Sequence, residues 1–161
     1  MITKSLSKNF FINLSFILLI FLFDRISKIY VIYLDNELLG SEIFSSNFLN
    51  IYLIWNEGIA FGLFSFNEQF YYNIITLVII IITLVILFFA IKSDGVEKIG
   101  FSMIFGGSLG NIFDRLYYSA VVDFIDFHIN NIHWFIFNIA DIFISLGVIV
   151  LILLEFFKKK I

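Results

Sequence analysis

Residues 69–91 run for 23 positions without one charged side chain. About 20 such helical residues cross a bilayer core of roughly 30 Å, so this stretch excludes an ordinary soluble domain. The composition agrees, because 61% of the 161 residues are hydrophobic and only 14% are charged. Soluble domains carry about 25% charged residues. We therefore predict one integral membrane domain that covers residues 1–161.

Three further apolar stretches reach membrane length, although each of them carries some polar residues. The fold class predicted is an all-α membrane protein with four transmembrane helices, at about 10–34, 69–91, 99–122 and 134–157. The segment at about 35–68 contains strand-forming residues and aromatic side chains. We expect it to form a small extracytoplasmic segment of β-structure and amphipathic helix.

The basic residues outside these spans all fall on one side of the predicted membrane. They are Lys4, Lys8, Lys92, Lys98, Lys158, Lys159 and Lys160. The positive-inside rule places both termini in the cytoplasm in a multi-pass topology. The segments 35–68 and 123–133 contain no Lys or Arg and are predicted to lie outside.

Besides Glu155 near the end of the fourth span, six ionisable residues interrupt the predicted spans, and they are Asp24, Arg25, Lys28, Asp114, Arg115 and Asp141. Each would cost about 2.5–3.5 kcal/mol at the centre of a lipid-facing helix. The groups must therefore be paired, hydrated or close to the interface. By their positions all six fall in the outer half of the membrane, which predicts a polar pocket there.

Asp123 and Asp141 are the candidates for chemistry in that pocket. Two neighbouring carboxyls in a partly dry site do not both ionise easily, so one keeps a proton while the other can activate water. This arrangement suits amide hydrolysis, and Asn111, Arg115 and Asn138 could position the pair or stabilise an oxyanion. The alternative is a structural role, for example an ion pair of Asp141 with Arg115.

Other functional patterns are weak. Residues 106–110 match G-x-S-x-G, but that motif needs a strand-to-helix turn and here lies in a predicted helix, where its glycines suit close helix packing. The absence of cysteine excludes disulfides and a thiol nucleophile. His128 and His133 beside Asp126 are more typical of interfacial polar residues than of metal ligands. A net charge of −3 gives no reason to expect nucleic acid.

Five sequence blocks, in order along nearly the whole chain, resemble the lipoprotein signal peptidase family, also called signal peptidase II. The blocks are D-R-I-S-K at 24–28, N-E-G-I-A-F-G at 56–62, G-G-S-L-G-N-I-F-D-R at 106–115, V-V-D-F at 121–124 and F-N-I-A-D at 137–141.

This resemblance implies a role for each matching residue. Asp123 and Asp141 fall on the family's catalytic aspartates. Substrate-binding or supporting positions are Asn56, Gly58, Asn111, Arg115 and Asn138. Structural polar positions are Asp24, Lys28 and Asp114.

The resemblance also implies the activity. The family is an intramembrane aspartic endopeptidase that removes the signal peptide from diacylglyceryl-modified prolipoproteins, cleaving before the lipidated cysteine. It needs no metal or other cofactor. The expected partners are the prolipoprotein substrates and membrane lipid, with the chain functional as a monomer. The expected location is the bacterial cytoplasmic (inner) membrane, with the active site near the outer leaflet.

Three positions depart from the family pattern. Ser119 stands where glycine is usual, Ile142 where a smaller residue is common, and the proline usual before N-x-G-x-A-F-G is absent. Two other functions stay open, a proton-coupled carrier that uses Asp141 and Arg115 as a relay, and a structural membrane subunit. Transporters often contain internal repeats, and none is evident between 1–91 and 92–161.

Overall fold

The computed structural model describes residues 2–58, 68–129 and 132–158, with the side chains of 2–9, 68, 134 and 158 left out. Its elements in chain order are α1 (Ile2–Glu37), β1 (Phe44–Ser45), β2 (Leu49–Asn56), α2 (Glu68–Lys92), α3 (Gly95–Tyr118), β3 (Val121–Ile129), β4 (Ile132–Phe137) and α4 (Ile139–Lys158). The predicted strand at 48–55 is confirmed by β2. The turn or surface helix expected at 57–66 falls mostly outside the described residues.

Three of these helices are long and apolar enough to cross a membrane. They are Phe10–Glu37, Gln69–Lys92 and Ile139–Phe157, with mean hydropathies of 1.9, 3.4 and 2.5. Their large apolar side chains, such as Leu19 and Leu84, are exposed on the helix surface, as expected of side chains that face lipid. The chain is therefore a multi-pass membrane protein, mostly helical, with a small antiparallel sheet.

Helix α3 is packed against the other three helices, and small residues line its contacts. A Cβ at Gly107 would lie 2.5 Å from the Ala140 carbonyl oxygen of α4. On the α1 side, a Cβ at Gly106 would lie 3.1 Å from Ile20, and one at Gly110 would overlap the Asp24 carboxylate. The prediction that these glycines serve close helix packing is confirmed. Ser108 lies within α3 and not on a strand-to-helix turn.

The four strands form one antiparallel sheet in the order β1-β2-β3-β4. Strand β2 pairs with β3 so that Ile54 lies opposite Asp123. Val122 and Phe124 of β3 form a buried cluster with Val31 of α1. This cluster fixes the sheet against the carboxyl-terminal half of α1.

Two predicted spans were wrong at their ends. The span 99–122 reaches too far, because α3 ends at Tyr118 and residues 121–122 begin β3. The span 134–157 begins too early, because residues 134–137 belong to β4 and α4 starts at Ile139. The strand residues at these two ends, 121–122 and 134–137, are apolar or aromatic, so hydropathy alone merged them with the neighbouring helices. Trp134, which falls in the predicted span 134–157, consequently lies in a strand.

Ser119 ends α3 in the left-handed conformation, with φ 58° and ψ 21°. This backbone conformation disfavours residues with a Cβ and is the usual place for glycine after a helix. The departure from the family pattern is therefore accommodated by a strained serine immediately before the strand that carries Asp123.

We predict that Ser119→Gly stabilises the protein by about 1 kcal/mol, since glycine removes the left-handed strain. Thermal unfolding of the purified protein in detergent micelles measures the change. Ser93→Gly is the matched control, because Ser93 also follows a helix but is not among the described residues with positive φ. An equal shift of the unfolding temperature in both variants would contradict the prediction.

Candidate active site

Four charged side chains form a buried network between α1 and α3. The guanidinium of Arg25 contacts Asp24 at 2.9 Å and Asp114 at 2.6 Å. The ammonium of Lys28 contacts the same two carboxylates at 3.0 and 2.7 Å. Asp24, Lys28 and Asp114 have no exposed surface. Each charged group is thus paired with two groups of opposite charge, and such pairing offsets the free-energy cost of burying an ion.

The same network fixes the elements that carry the predicted catalytic residues. Asp24 accepts a hydrogen bond from the backbone N–H of Ala140, at the start of α4. Asp114 accepts one from the backbone N–H of Val122, at the start of β3. The buried charges therefore hold both β3 and α4 at defined positions beside α1 and α3.

Asp123 and Asp141 are linked by two asparagine side chains. The Asn138 amide donates to Asp123 Oδ1 at 2.6 Å and to Asn111 Oδ1 at 3.2 Å. The Asn111 amide donates to Asp141 Oδ1 at 2.8 Å. Lys28 Nζ in turn donates to Asn111 Oδ1 at 2.9 Å, which connects the aspartates to the charge network.

Asn138 lies between β4 and α4, and it also caps the helix. Its backbone N–H donates to Asp141 Oδ2, while its side-chain oxygen accepts from the Asp141 backbone N–H. This reciprocal pattern is that of a capping box at a helix N-terminus. The junction therefore sets the orientation of Asp141 and of the amide that reaches Asp123.

The other oxygen of Asp123 faces the carboxyl end of β2. Asn56 Nδ2 donates to Asp123 Oδ2 at 2.8 Å, and Asn56 Oδ1 accepts from the Gly58 backbone N–H at 2.8 Å. Gly58 has a φ of +74°, and a Cβ there would lie 3.2 Å from the Arg115 guanidinium. The Arg115 guanidinium also lies over the Tyr72 ring, 5.3 Å from its centroid. Asn56, Gly58 and Arg115 thus form one side of the site.

Burial raises the pKa of Asp123 to about 6, and the charge of Asp141 adds to the rise. The amides of Asn56 and Asn138 act in the opposite direction, because they donate to the ionised form. A carboxyl with a pKa of about 6 holds a proton in a substantial fraction of molecules near neutral pH. This is the behaviour expected of one member of a carboxylate pair that shares a proton.

The structure brings together every site residue predicted from the sequence. The interaction of Asp24 with Lys28 is confirmed. The alternative ion pair of Asp141 with Arg115 is not among those of the described residues, since Asp141 is bonded to Asn111 and Asn138. Two participants were missed, namely Arg25 as the partner of Asp114, and Tyr72, whose charge-free helix gave no functional signal.

Comparison with known proteins identifies the family. The family model described as signal peptidase (SPase) II matches residues 16–157. The chain belongs to the signal peptidase II family. It is 49% identical over 154 residues to a lipoprotein signal peptidase of Pelagibacter ubique, and the aligned region covers 95% of this chain and 93% of that protein. A lipoprotein signal peptidase of Francisella tularensis subsp. novicida is 40% identical over 141 residues, covering 83% and 87%.

Solved structures agree with this assignment to signal peptidase II. Two structures described as bacterial membrane enzymes match with TM-scores of 0.71. One is 30% identical and covers 91% of this chain and 88% of its own, and the other is 31% identical and covers 89% and 91%. Signal peptidase II is a protease, so the carrier and structural-subunit interpretations were wrong.

We predict that Lys28→Met destabilises the protein by about 3–5 kcal/mol, because it leaves two buried carboxylates with Arg25 as their one remaining cation in the network. Chemical or thermal unfolding in detergent micelles measures the loss. Lys92→Met is the matched control, since Lys92 is exposed at the end of α2, and it should change stability by less than about 0.5 kcal/mol. Similar stability of the two variants would argue against the network as the central stabilising contact.

Proposed function

We propose that this chain is an aspartic endopeptidase that removes the signal peptide from diacylglyceryl-modified prolipoproteins, before the lipidated cysteine. The observation that carries the proposal is the pair of Asp123 and Asp141, joined through Asn138 and Asn111. Membership of the signal peptidase II family supports the substrate class. No metal or other cofactor is assigned to this reaction.

The environments of the two aspartates support different roles for them. Asp141 lies in the first turn of α4, where the helix dipole favours a negative charge. Asp123 lies in a strand, and its pKa of about 6 lets it hold a proton far more often than an ordinary aspartate does. We assign Asp141 as the base that activates water and Asp123 as the acid.

The reaction proceeds in two steps. Water attacks the scissile carbonyl carbon as Asp141 takes its proton, and Asp123 gives its proton to the carbonyl oxygen, which forms a tetrahedral diol. The carbon–nitrogen bond then breaks, the proton held by Asp141 passes to the leaving amine, and Asp123 recovers its proton from the diol. Asn111 and Asn138 hold the carboxylates in place, while Asn56, Gly58 and Arg115 position the peptide.

The membrane placement follows the sequence prediction. We propose four transmembrane helices. In addition to α1, α2 and α4, α3 spans the membrane, because its 24 residues are long enough to cross a bilayer and its buried polar groups face other helices. Ile12 and Asn13, in the amino-terminal half of α1, line the same pocket as Asp94 and Lys98 at the start of α3. The sheet and both aspartates lie towards the other ends of these helices, which supports cytoplasmic termini.

This topology supports a monomeric enzyme of the bacterial cytoplasmic membrane with its active site near the outer leaflet. A substrate that carries two acyl chains is itself embedded in the membrane. It can therefore enter the site sideways from the outer leaflet, with its peptide beside the sheet.

We predict that Asp123→Asn and Asp141→Asn each lower turnover by about 10³-fold or more, since either change removes a proton-transfer group. A gel-shift assay with purified protein and a diacylglyceryl-modified prolipoprotein, in EDTA, measures cleavage, with the unlipidated form alongside. Asp94→Asn, exposed at the α2–α3 connection, is the matched control and should retain activity. Substantial turnover by either dyad variant, or equal cleavage of unlipidated substrate, would refute the proposal.

Asn56→Ala should shift the pH dependence of kcat/KM. The Asn56 amide stabilises ionised Asp123, so its removal raises the pKa of Asp123 further above 6. Because the acid must be protonated, the alkaline limb of the profile should move to higher pH while kcat falls. Asn36→Ala, whose amide bonds only the Ile32 carbonyl on α1, should leave the profile unchanged. An alkaline limb that stays in place or moves to lower pH would reject Asp123 as the acid.

A further inference from the structure

The outer end of the β3–β4 hairpin gathers three potential metal ligands. Asp126 and His128 are two residues apart and lie on the same face of β3. His133 of β4 lies directly opposite His128 in the strand register. Each of the three offers one ligand atom, and these atoms lie within 4.8 Å of one another. We refer to Asp126, His128 and His133 as the hairpin triad.

Two members of the hairpin triad are buried, and one of them has an unused polar atom. Asp126 is 0% exposed and contacts His133 and Tyr52. His128 is 9% exposed, and its Nδ1 lacks a hydrogen-bond partner among the described residues. Burying a polar atom without a partner costs free energy, so such atoms indicate a ligand that completes the site.

The only ion-pair partner of Asp126 in the described part of the chain is His133, whose Nδ1 lies 2.7 Å from Asp126 Oδ2. Neither outer segment, 35–68 or 123–133, contains a Lys or Arg. Tyr52 of β2 hydrogen-bonds this carboxylate but carries no positive charge. The hairpin triad is therefore a buried site with negative charge and no permanent cation in its own segments.

We propose that the hairpin triad binds a divalent cation of the zinc class. Two imidazoles and one carboxylate form a common three-ligand set for Zn²⁺, with a further position left for water. Ligands at about 2.1 Å around a tetrahedral ion lie roughly 3.4 Å apart. The widest separation in the triad, up to 4.8 Å, must therefore shorten, and the 2.7 Å between His133 Nδ1 and Asp126 Oδ2 must lengthen. The side chain of His133 is 51% exposed and can make this adjustment.

The local fold explains why these side chains converge. The β3–β4 register shifts between Asp126 and His128, so the step from His133 to Ile136 on β4 is one residue longer than the facing step. Such bulges redirect side chains at sheet edges. An apolar cavity of about 370 Å³ adjoins His128, and its other lining residues are Phe48, Phe127, Ile129, Phe135 and Phe137. This apolar wall limits water around the ligands and strengthens electrostatic binding.

The site is distinct from the peptidase chemistry. Asp123 precedes Asp126 by three residues on β3, and strand alternation places the two side chains on opposite faces. A cation at the hairpin triad would join β3 to β4 at the shifted register, thereby stabilising the strand that carries Asp123. It takes no part in bond cleavage.

The test is a Zn²⁺ titration of chelator-stripped protein without a histidine tag, followed by calorimetry. We expect saturable 1:1 binding and a rise in the unfolding temperature with Zn²⁺. Co²⁺ bound in place of Zn²⁺ should give the visible absorption bands that are typical of an ion with a low coordination number. The chain contains only two histidines, both in the triad, so Zn²⁺ should also protect against diethyl pyrocarbonate modification.

Single substitutions in the hairpin triad identify which side chains bind Zn²⁺. His133→Ala, His128→Ala and Asp126→Asn should each weaken Zn²⁺ binding by about ten-fold or more. Glu42→Gln is the matched control, because Glu42 is an exposed carboxylate that also acts on Tyr52, and it should bind as the parent does. Asp123→Asn should also bind normally, which separates this site from the peptidase activity.

Absence of saturable 1:1 binding to the parent protein would overturn the proposal, as would unchanged affinity in the histidine variants. If the two buried substitutions prevent folding, the half-exposed His133→Ala and the protection of the parent's histidines decide the question. Loss of peptidase activity in Asp123→Asn has no bearing on this result.

Discussion

Asp24, Arg25, Lys28 and Asp114 bring two acidic and two basic groups into the interior of a membrane protein. In such surroundings an unpaired charge raises the free energy of the folded protein, and an ion pair is most favourable when its remaining donors and acceptors are also hydrogen-bonded. Here Asn111 and the backbone at the starts of β3 and α4 take up part of that capacity. The arrangement of the helices and the sheet therefore depends on completing this one network.

The same requirement organises the residues that are proposed to be catalytic. Lys28 reaches Asn111, which bonds Asp141, and Asn138 bonds both Asn111 and Asp123. No flexible side chain has to move for these amides to hold the two carboxylates, because each amide is oriented by a further bond. Such preorganisation is the main way in which a protein can favour a charged transition state. Stability and catalysis in this chain thus draw on one connected set of hydrogen bonds.

Local spacing in the sequence predicted the parts of the structure that depend on local geometry. Asp24 and Lys28 are one helical turn apart, and the glycines of α3 recur on packed faces, so both could be read from the chain. The hairpin could not, because Phe135 and Phe137 have the hydropathy of a membrane helix. Asn138 links the aspartates only because a strand ends beside it, and His133 meets His128 only through a shifted register. Those positions depend on pairing between segments, which hydropathy does not reveal.

The hydrogen bond from the Ala140 backbone to Asp24 joins residues 116 positions apart. A ribosome adds about 5–20 residues per second, so α1 is made on the order of ten seconds before its last partner exists. During that interval the three ionisable groups at residues 24–28 lower the affinity of α1 for lipid alone. Their partners on α3 are made first, and the last bond of the network can form only once the beginning of the final helix has been synthesised.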